Sequence, residues 1–139
     1  MPHIVVEYSA NLRGRIVPED LIERVHQAAL RTGVFPVGGT RTRAAERACY
    51  RIADGHPDNA FVHVVLRIAH GRDLATRRRV GEEVFGALCK YLEGIFERSP
   101  LGVSLEIQEI DPEVSWKKNN LHDHVRRREG AATETETEA

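Results

Sequence analysis

The apolar residues in the first part of the chain follow two periods in succession. Residues 3–8, HIVVEY, form a β-branched run that predicts a strand. In residues 17–33, VPEDLIERVHQAALRTG, the apolar positions recur at helical spacing and predict a helix. Pro18 suits the first helical turn, and Gly33 suits the position just after the last turn. A strand followed by a helix is therefore expected.

The pattern alternates again from about residue 40 to residue 52, which predicts a second strand. Side chains of a strand repeat their direction every second residue, so Arg41, Arg43 and Arg47 are expected on one face. The turn-forming run ADGHPDN comes next. The first half of the chain is thus expected to form a βαβ unit.

The second half of the chain repeats this order. AFVHVVLRI at 60–68 predicts a strong strand, residues 74–98 an amphipathic helix, and VSLEIQEI at 103–110 an alternating strand. We therefore predict a two-layer α+β fold, a double βαβ unit with a four-stranded main sheet and two helices on one face. The strand at 60–68 is expected to be buried on both faces. Two helices cover only one face, so an oligomer is expected to cover the other.

Length and composition narrow the class of protein. The 139 residues suit one domain, placed at 1–125, and the polar, low-complexity tail at 126–139 is expected to be disordered. The net charge of -1 favours neither nucleic acid nor a membrane surface as a partner. No signal peptide or membrane-spanning run is visible, so a cytoplasmic protein is expected. Cys49 and Cys89 have no CxxC spacing and are expected to be buried free thiols.

Three residues are candidates for chemistry because of their positions. Arg41 begins the second strand and Arg72 precedes the second helix, and ligands of βαβ units gather at such strand ends and helix starts. A guanidinium holds a carboxylate through paired, charge-assisted hydrogen bonds. Pro2 lies at the mouth of the first strand. A small second residue permits removal of Met1, which would give Pro2 a free secondary amine, although it could also be an ordinary start-site residue.

Other motifs predict no cofactor and no metal. The chain has no phosphate-binding loop, dinucleotide fingerprint or Ser-His-Asp order. His122 and His124 lack a supporting set of acids or cysteines, so a metal site is not predicted there. His3 and His63 lie in predicted strands, where a structural histidine is the expected interpretation.

The chain resembles the 5-carboxymethyl-2-hydroxymuconate isomerases of the tautomerase superfamily. The resemblance covers residues 2 to about 124 and lies in MPHIVVEYS, TGVFPVGGTRTR, ADG, AFVHVVLRIAHGR and LEIQEIDPEVSWKKNNLH. It implies a tautomerase-like homotrimer of double βαβ units whose sheets face inward. It also implies a cofactor-independent isomerase that acts on a small polycarboxylate in bacterial breakdown of 4-hydroxyphenylacetate through homoprotocatechuate.

The resemblance also implies roles for the three candidate residues. The amine of Pro2 would be the general base, and Arg41 and Arg72 would bind the substrate. Two alternatives stay open. One is a non-catalytic oligomeric module that binds anions and retains Met1. The other is a tautomerase relative that acts on a different enol–keto substrate.

Overall fold

A computed structural model describes residues 1–138 of the chain, and the side chains of residues 1–131. Four strands and three α-helices follow one another as β1 His3–Ser9, α1 Pro18–Arg31, β2 Arg41–Arg47, β3 Ala60–Ala69, α2 Leu74–Arg98, β4 Leu101–Ile110 and α3 Leu121–Glu138. Short 3-10 helices lie at Ala10–Leu12, Val37–Gly39 and Pro112–Val114. None of the helices described is long and apolar enough to cross a membrane.

The four strands form one mixed sheet in the order β2-β1-β3-β4. β1 pairs with β2 in parallel, and β3 pairs with β4 in parallel. β1 and β3 are antiparallel neighbours at the centre. Each half of the chain is thus a βαβ unit, and the predicted two-layer α+β fold with a double βαβ unit is confirmed.

The hydrophobic core lies between the sheet and the two helices α1 and α2. Alternate residues of the central strands point into it, so Ile4 and Val6 of β1 are fully buried opposite Leu66 and Val64 of β3. The buried helix residues recur at the spacing that the apolar pattern predicts. They are Leu21, Val25, Ala28 and Ala29 of α1, with Val80, Val84, Leu88 and Leu92 of α2.

The opposite face of the sheet, called here the open face, is the one that the sequence analysis expects an oligomer to cover. The strand at 60–68 is fully buried only in the register that faces the helices. On the open face Phe61, His63 and Val65 are half-buried within the chain, and Arg67 is exposed. The face is partly polar: His63 Nδ1 lies 2.6 Å from the Ser104 hydroxyl. Burial on both faces is therefore not a property of the single chain.

The second strand is shorter than its sequence pattern predicts. β2 ends at Arg47, and the chain then leaves the sheet for an irregular segment. A turn follows in which Gly55 has φ +84° and donates its N–H to the Ile52 carbonyl. Cys49 lies in this irregular segment and is exposed, which corrects the expectation that it is buried. Cys89 on α2 is half-buried, and burial raises the pKa of its thiol.

The C-terminal segment differs from its prediction up to the last residue described. Helix α3 runs through residues 126–138, where the composition predicts a disordered tail, and residue 139 lies outside the described residues. Arg, Glu and Ala are strong helix formers, so this polar composition is compatible with a helix as well as with disorder. The start of α3 packs against the 3-10 turn at Val37–Gly39.

Candidate functional site

The strand directions bring four separate segments to one end of the sheet. The N-terminal ends of β1 and β2 lie beside the C-terminal ends of β3 and β4, because the two βαβ units are antiparallel to each other. We call this the site end and define it by residues 1–3, 38–41, 69–72 and 110–117. The opposite end carries the other termini of the same strands.

Pro2 is buried at the site end. Its carbonyl accepts a hydrogen bond from the Arg41 backbone N–H at 3.1 Å, which fixes it beside the start of β2. Met1 precedes it in this structure, so the Pro2 nitrogen is a peptide nitrogen and the free amine belongs to Met1. The site end therefore brings the N-terminus and Arg41 into contact.

Arg41 is half-buried and its guanidinium turns toward the N-terminus. Nη1 lies 3.0 Å from Met1 Sδ and 3.5 Å from the Gly39 carbonyl oxygen. A thioether sulfur is a weak acceptor, and a guanidinium has five N–H donors. Arg41 therefore keeps donors for a ligand.

Arg72 is half-buried and held in place by three neighbours. Its guanidinium carbon lies 5.1 Å from the centre of the Phe35 ring, within the range of a cation–π contact. Nη1 donates to the Ala69 carbonyl at 3.3 Å, and Nη2 donates to the Val34 carbonyl at 3.4 Å. Among residues 1–131, neither Arg72 nor Arg41 forms an ion pair with a carboxylate.

Two titratable groups report a positive potential at the site end. The pKa of the N-terminal amine lies below its ordinary value of 8.0, because burial and then the charges of Lys117, Arg72 and Arg41 disfavour the ammonium form. The pKa of His3 is also lowered, by burial and then chiefly by Arg43 and Arg41. Both shifts favour the neutral form of the group, and the cations named here contribute to them after burial.

A contact that the sequence did not predict holds the turn before Arg41. A methyl group on Gly38 would lie 2.7 Å from both Cα and Nδ1 of His122, so only glycine fits beneath α3. The Asn119 side chain donates to the Gly38 carbonyl at 3.1 Å. A methyl group on Gly39 would lie 3.6 Å from His122 Cε1 and 3.7 Å from Pro2 Cδ. We call Asn119 and His122 the clasp; they hold this turn next to Pro2.

A cavity of about 470 Å³ opens beside the N-terminus. Its walls come from the start of β1, the end of β3 and the segment after β4, and they include Met1, His3, Arg67, Trp116 and Lys117. Small-molecule sites span about 300–1,000 Å³, so the cavity can hold a small acid. A larger groove of about 740 Å³ lies elsewhere, between α2 and β4, and is lined mostly by apolar side chains.

The histidines named in the sequence analysis have contacts within the chain. No group of three or more His, Cys, Asp or Glu side chains that could hold a metal ion occurs in the part of the chain that the structure describes. His122 is part of the clasp. His3 contacts Arg43 at 3.1 Å and His63 contacts Glu106 at 3.3 Å, so both have polar partners within the sheet.

Comparisons with known proteins agree with this geometry. The family model described as 5-carboxymethyl-2-hydroxymuconate isomerase matches residues 2–125. A 5-carboxymethyl-2-hydroxymuconate Delta-isomerase of Escherichia coli is 36% identical over 122 residues, which cover 88% of this chain and 97% of the relative.

Solved structures extend this similarity to the fold. The 5-carboxymethyl-2-hydroxymuconate isomerase from Deinococcus radiodurans R1 superposes with a TM-score of 0.83 at 36% identity, covering 89% of this chain and 93% of the other. A fused 4-OT wild-type symmetric trimer shares the fold alone, with a TM-score of 0.59 at 18% identity, covering 85% of this chain and 92% of the other.

Proposed function

The chain belongs to the 5-carboxymethyl-2-hydroxymuconate isomerase family of the tautomerase superfamily and is an isomerase, and we propose that its substrate is 5-carboxymethyl-2-hydroxymuconate. We propose that removal of Met1 turns Pro2 into the general base. We further propose that Arg41 and Arg72 bind the substrate. The reaction would use no cofactor and would belong to the breakdown of homoprotocatechuate.

The reaction requires one positioned base that releases the proton it accepts. The substrate carries an enol hydroxyl on C2 at one end of a conjugated diene. The base takes the hydroxyl proton, the electron pairs shift to give a C2 carbonyl and a C3–C4 double bond, and the same proton is returned to C5. No electrons are gained or lost, so no oxidant or reductant is needed.

The observation that carries this proposal is the positive potential around the N-terminus. A proline amine has a high intrinsic pKa and would be protonated at neutral pH in water. The burial and the cations that lower the pKa of the Met1 amine would also act on a Pro2 amine one residue further along the chain, and would favour its neutral, basic form.

The two arginines have donors that a substrate carboxylate could use. Met1 Sδ is one of the groups that Arg41 contacts in this structure, and removal of Met1 would release that donor. Arg72 donates to two carbonyl oxygens rather than to a carboxylate. Both guanidinium groups could also stabilise the negative charge that develops on the C2 oxygen.

We also propose that the functional protein is a homotrimer with the open faces turned inward. Phe61 and Val65 on this face are only half-buried within one chain, and another subunit would cover them. The polar groups of the face already have partners in the chain, since Arg47 pairs with Glu7 at 2.8 Å. Sedimentation equilibrium at micromolar concentration tests this proposal, and a stable monomer would overturn it.

The test of function combines intact mass with a spectrophotometric assay. Protein that has lost one methionine should convert 5-carboxymethyl-2-hydroxymuconate, seen as loss of the dienol absorbance, faster than it converts the enol of phenylpyruvate. A preference for the phenylpyruvate enol would favour a tautomerase with another substrate. A trimer that retains Met1 and converts neither compound would favour the non-catalytic anion-binding module.

A further inference from the structure

The cavity at the site end is lined by two cations, Arg67 and Lys117, that are not among the two proposed substrate-binding arginines. Lys117 lies in the irregular segment after β4, next to Trp116, and both residues line the cavity together with Met1. Lys117 is exposed, and it forms no ion pair with a carboxylate among the side chains described. Its ammonium group is therefore available to a ligand in this cavity.

Lys117 and Met1 line the same cavity, and the charge of Lys117 acts on the terminal amine. Among the charged groups that lower the pKa of the N-terminal amine, Lys117 has the largest effect, ahead of Arg72 and Arg41. Arg67 lines the same cavity but is not among these groups. Lys117 is thus the cavity cation most closely coupled to the amine.

The chemistry of the proposed substrate has a corresponding feature. 5-Carboxymethyl-2-hydroxymuconate carries three carboxylates: one at each end of the six-carbon chain and one on the carboxymethyl arm. Two arginines can hold the two chain ends through paired hydrogen bonds. The arm is attached to C5, the carbon that receives the proton, so its carboxylate must lie near the base.

We infer that Lys117 binds the carboxymethyl carboxylate and gives the enzyme its preference for the tricarboxylate over a dicarboxylate. This inference rests on the proposed function, because it takes the base and the substrate from it. Lysine is suited to this role because its compact ammonium on a flexible stem can follow a mobile methylene-linked carboxylate. The exposed Trp116 beside it would form part of the cavity wall.

The test compares two substrates that differ only in this arm. 2-Hydroxymuconate has the same dienol and both end carboxylates but lacks the carboxymethyl group. For Lys117→Met, kcat/KM should fall about ten- to hundredfold with the tricarboxylate, the range for loss of a charge-assisted hydrogen bond. The loss with 2-hydroxymuconate should be at least tenfold smaller, and Lys117→Arg should restore much of the preference.

Lys118→Met is the matched control, because Lys118 is the neighbouring lysine and does not line the cavity. It should keep the wild-type ratio of the two kcat/KM values. If Lys117→Met lowers kcat/KM by the same factor on both substrates, or on neither, the ratio of the two values is unchanged and the inference is overturned. A wild-type enzyme that isomerises the tricarboxylate while Lys117→Met keeps its preference would refute only the role of Lys117. A processed wild-type protein that isomerises neither acid would refute the proposed function as well.

Discussion

Arginines lie at both ends of the sheet, but their partners differ. At the end opposite the site, Arg13 forms an ion pair with Glu46, and its hydrogen bond lowers the pKa of that carboxyl group. At the site end, Arg41 and Arg72 donate to carbonyl oxygens and a sulfur instead. Among the side chains described, neither of these two guanidinium groups is paired with a carboxylate.

This difference suggests which arginines can act on a substrate. An arginine paired with a carboxylate of its own chain must give up that partner before it can bind an anion. A guanidinium supported by carbonyl oxygens and an aromatic ring keeps its orientation and its net charge. The clearest way to test the comparison is to change one group at each end and measure the same quantity.

The largest effect is expected from blocking the amine. Insertion of leucine between Met1 and Pro2 should prevent removal of methionine and leave the Pro2 nitrogen in a peptide bond. Because a positioned general base contributes about a hundred- to ten-thousandfold, kcat should fall by that range. Intact mass, trimer content and the rate of isomerisation are the measurements.

The matched control for this change is Pro2→Ala, which keeps a small second residue and a free, primary amine. Its activity should be reduced but higher than that of the insertion variant. A trimeric, Met-retaining protein that isomerises as fast as the processed form would eliminate the amine as the base.

The next effect concerns the arginines at the two ends. Arg41→Met and Arg72→Met should each lower kcat/KM about ten- to hundredfold, because each removes a charge-assisted contact to a carboxylate. Arg13→Met, at the opposite end, should leave kcat/KM unchanged. Equal losses in all three variants would show that the ends do not differ in function and that the assignment of the site is wrong.

The sequence predicts where the two site-end arginines lie, because the signals for strand and helix boundaries are local along the chain. Arg41 begins a strand and Arg72 precedes a helix, and strand and helix boundaries follow from the apolar periods of a few residues. The contacts of the clasp, in contrast, could not be predicted from the sequence. Asn119 and Gly38 are 81 positions apart, and their hydrogen bond depends on how the segment after β4 crosses the molecule. No local pattern carries that information.

The position of Lys117 beside the N-terminus could not be predicted for the same reason. In the sequence it is one lysine in a polar segment, and only the fold brings it to the N-terminus. The polar pairs of the open face could not be predicted either, because the residues of one strand do not reveal their cross-strand partners. His63 lies beside Ser104 and Glu106, so a polar residue on that face is satisfied without burial.

A smaller effect is expected from the turn that the clasp holds. Gly38→Ala would place a methyl group 2.7 Å from the His122 backbone, which a side-chain rotation cannot relieve. The free energy of unfolding should fall by about 1–3 kcal/mol, the usual cost of overpacking. Denaturant unfolding is the measurement, and a decrease in kcat/KM should accompany it.

Gly86→Ala provides the control for this substitution, since a methyl group there meets no heavy atom within 4 Å. Gly86 is an exposed position inside α2, where alanine favours the helix by up to about 1 kcal/mol. Its stability should stay the same or rise. A Gly38→Ala protein as stable as wild type would show that the clasp does not constrain the turn.

The smallest effect is a change in the pH dependence of the reaction. The neutral amine accepts the proton, so kcat/KM should fall as the pH drops through the pKa of the amine. Burial and then the cations Lys117, Arg72 and Arg41 lower the pKa of the terminal amine, and the same surroundings should keep a Pro2 base active at lower pH. Removal of one of them, in Arg72→Met, should therefore raise the pKa of the amine and move the acid limb of the profile to higher pH.

Arg13→Met is the control and should leave the acid limb where it is, because Arg13 is not among the groups that shift the pKa of the amine. The limb is measured as kcat/KM against pH in processed, trimeric protein. A shift to lower pH in Arg72→Met, or the same shift in both variants, would contradict the view that local positive charge tunes the base.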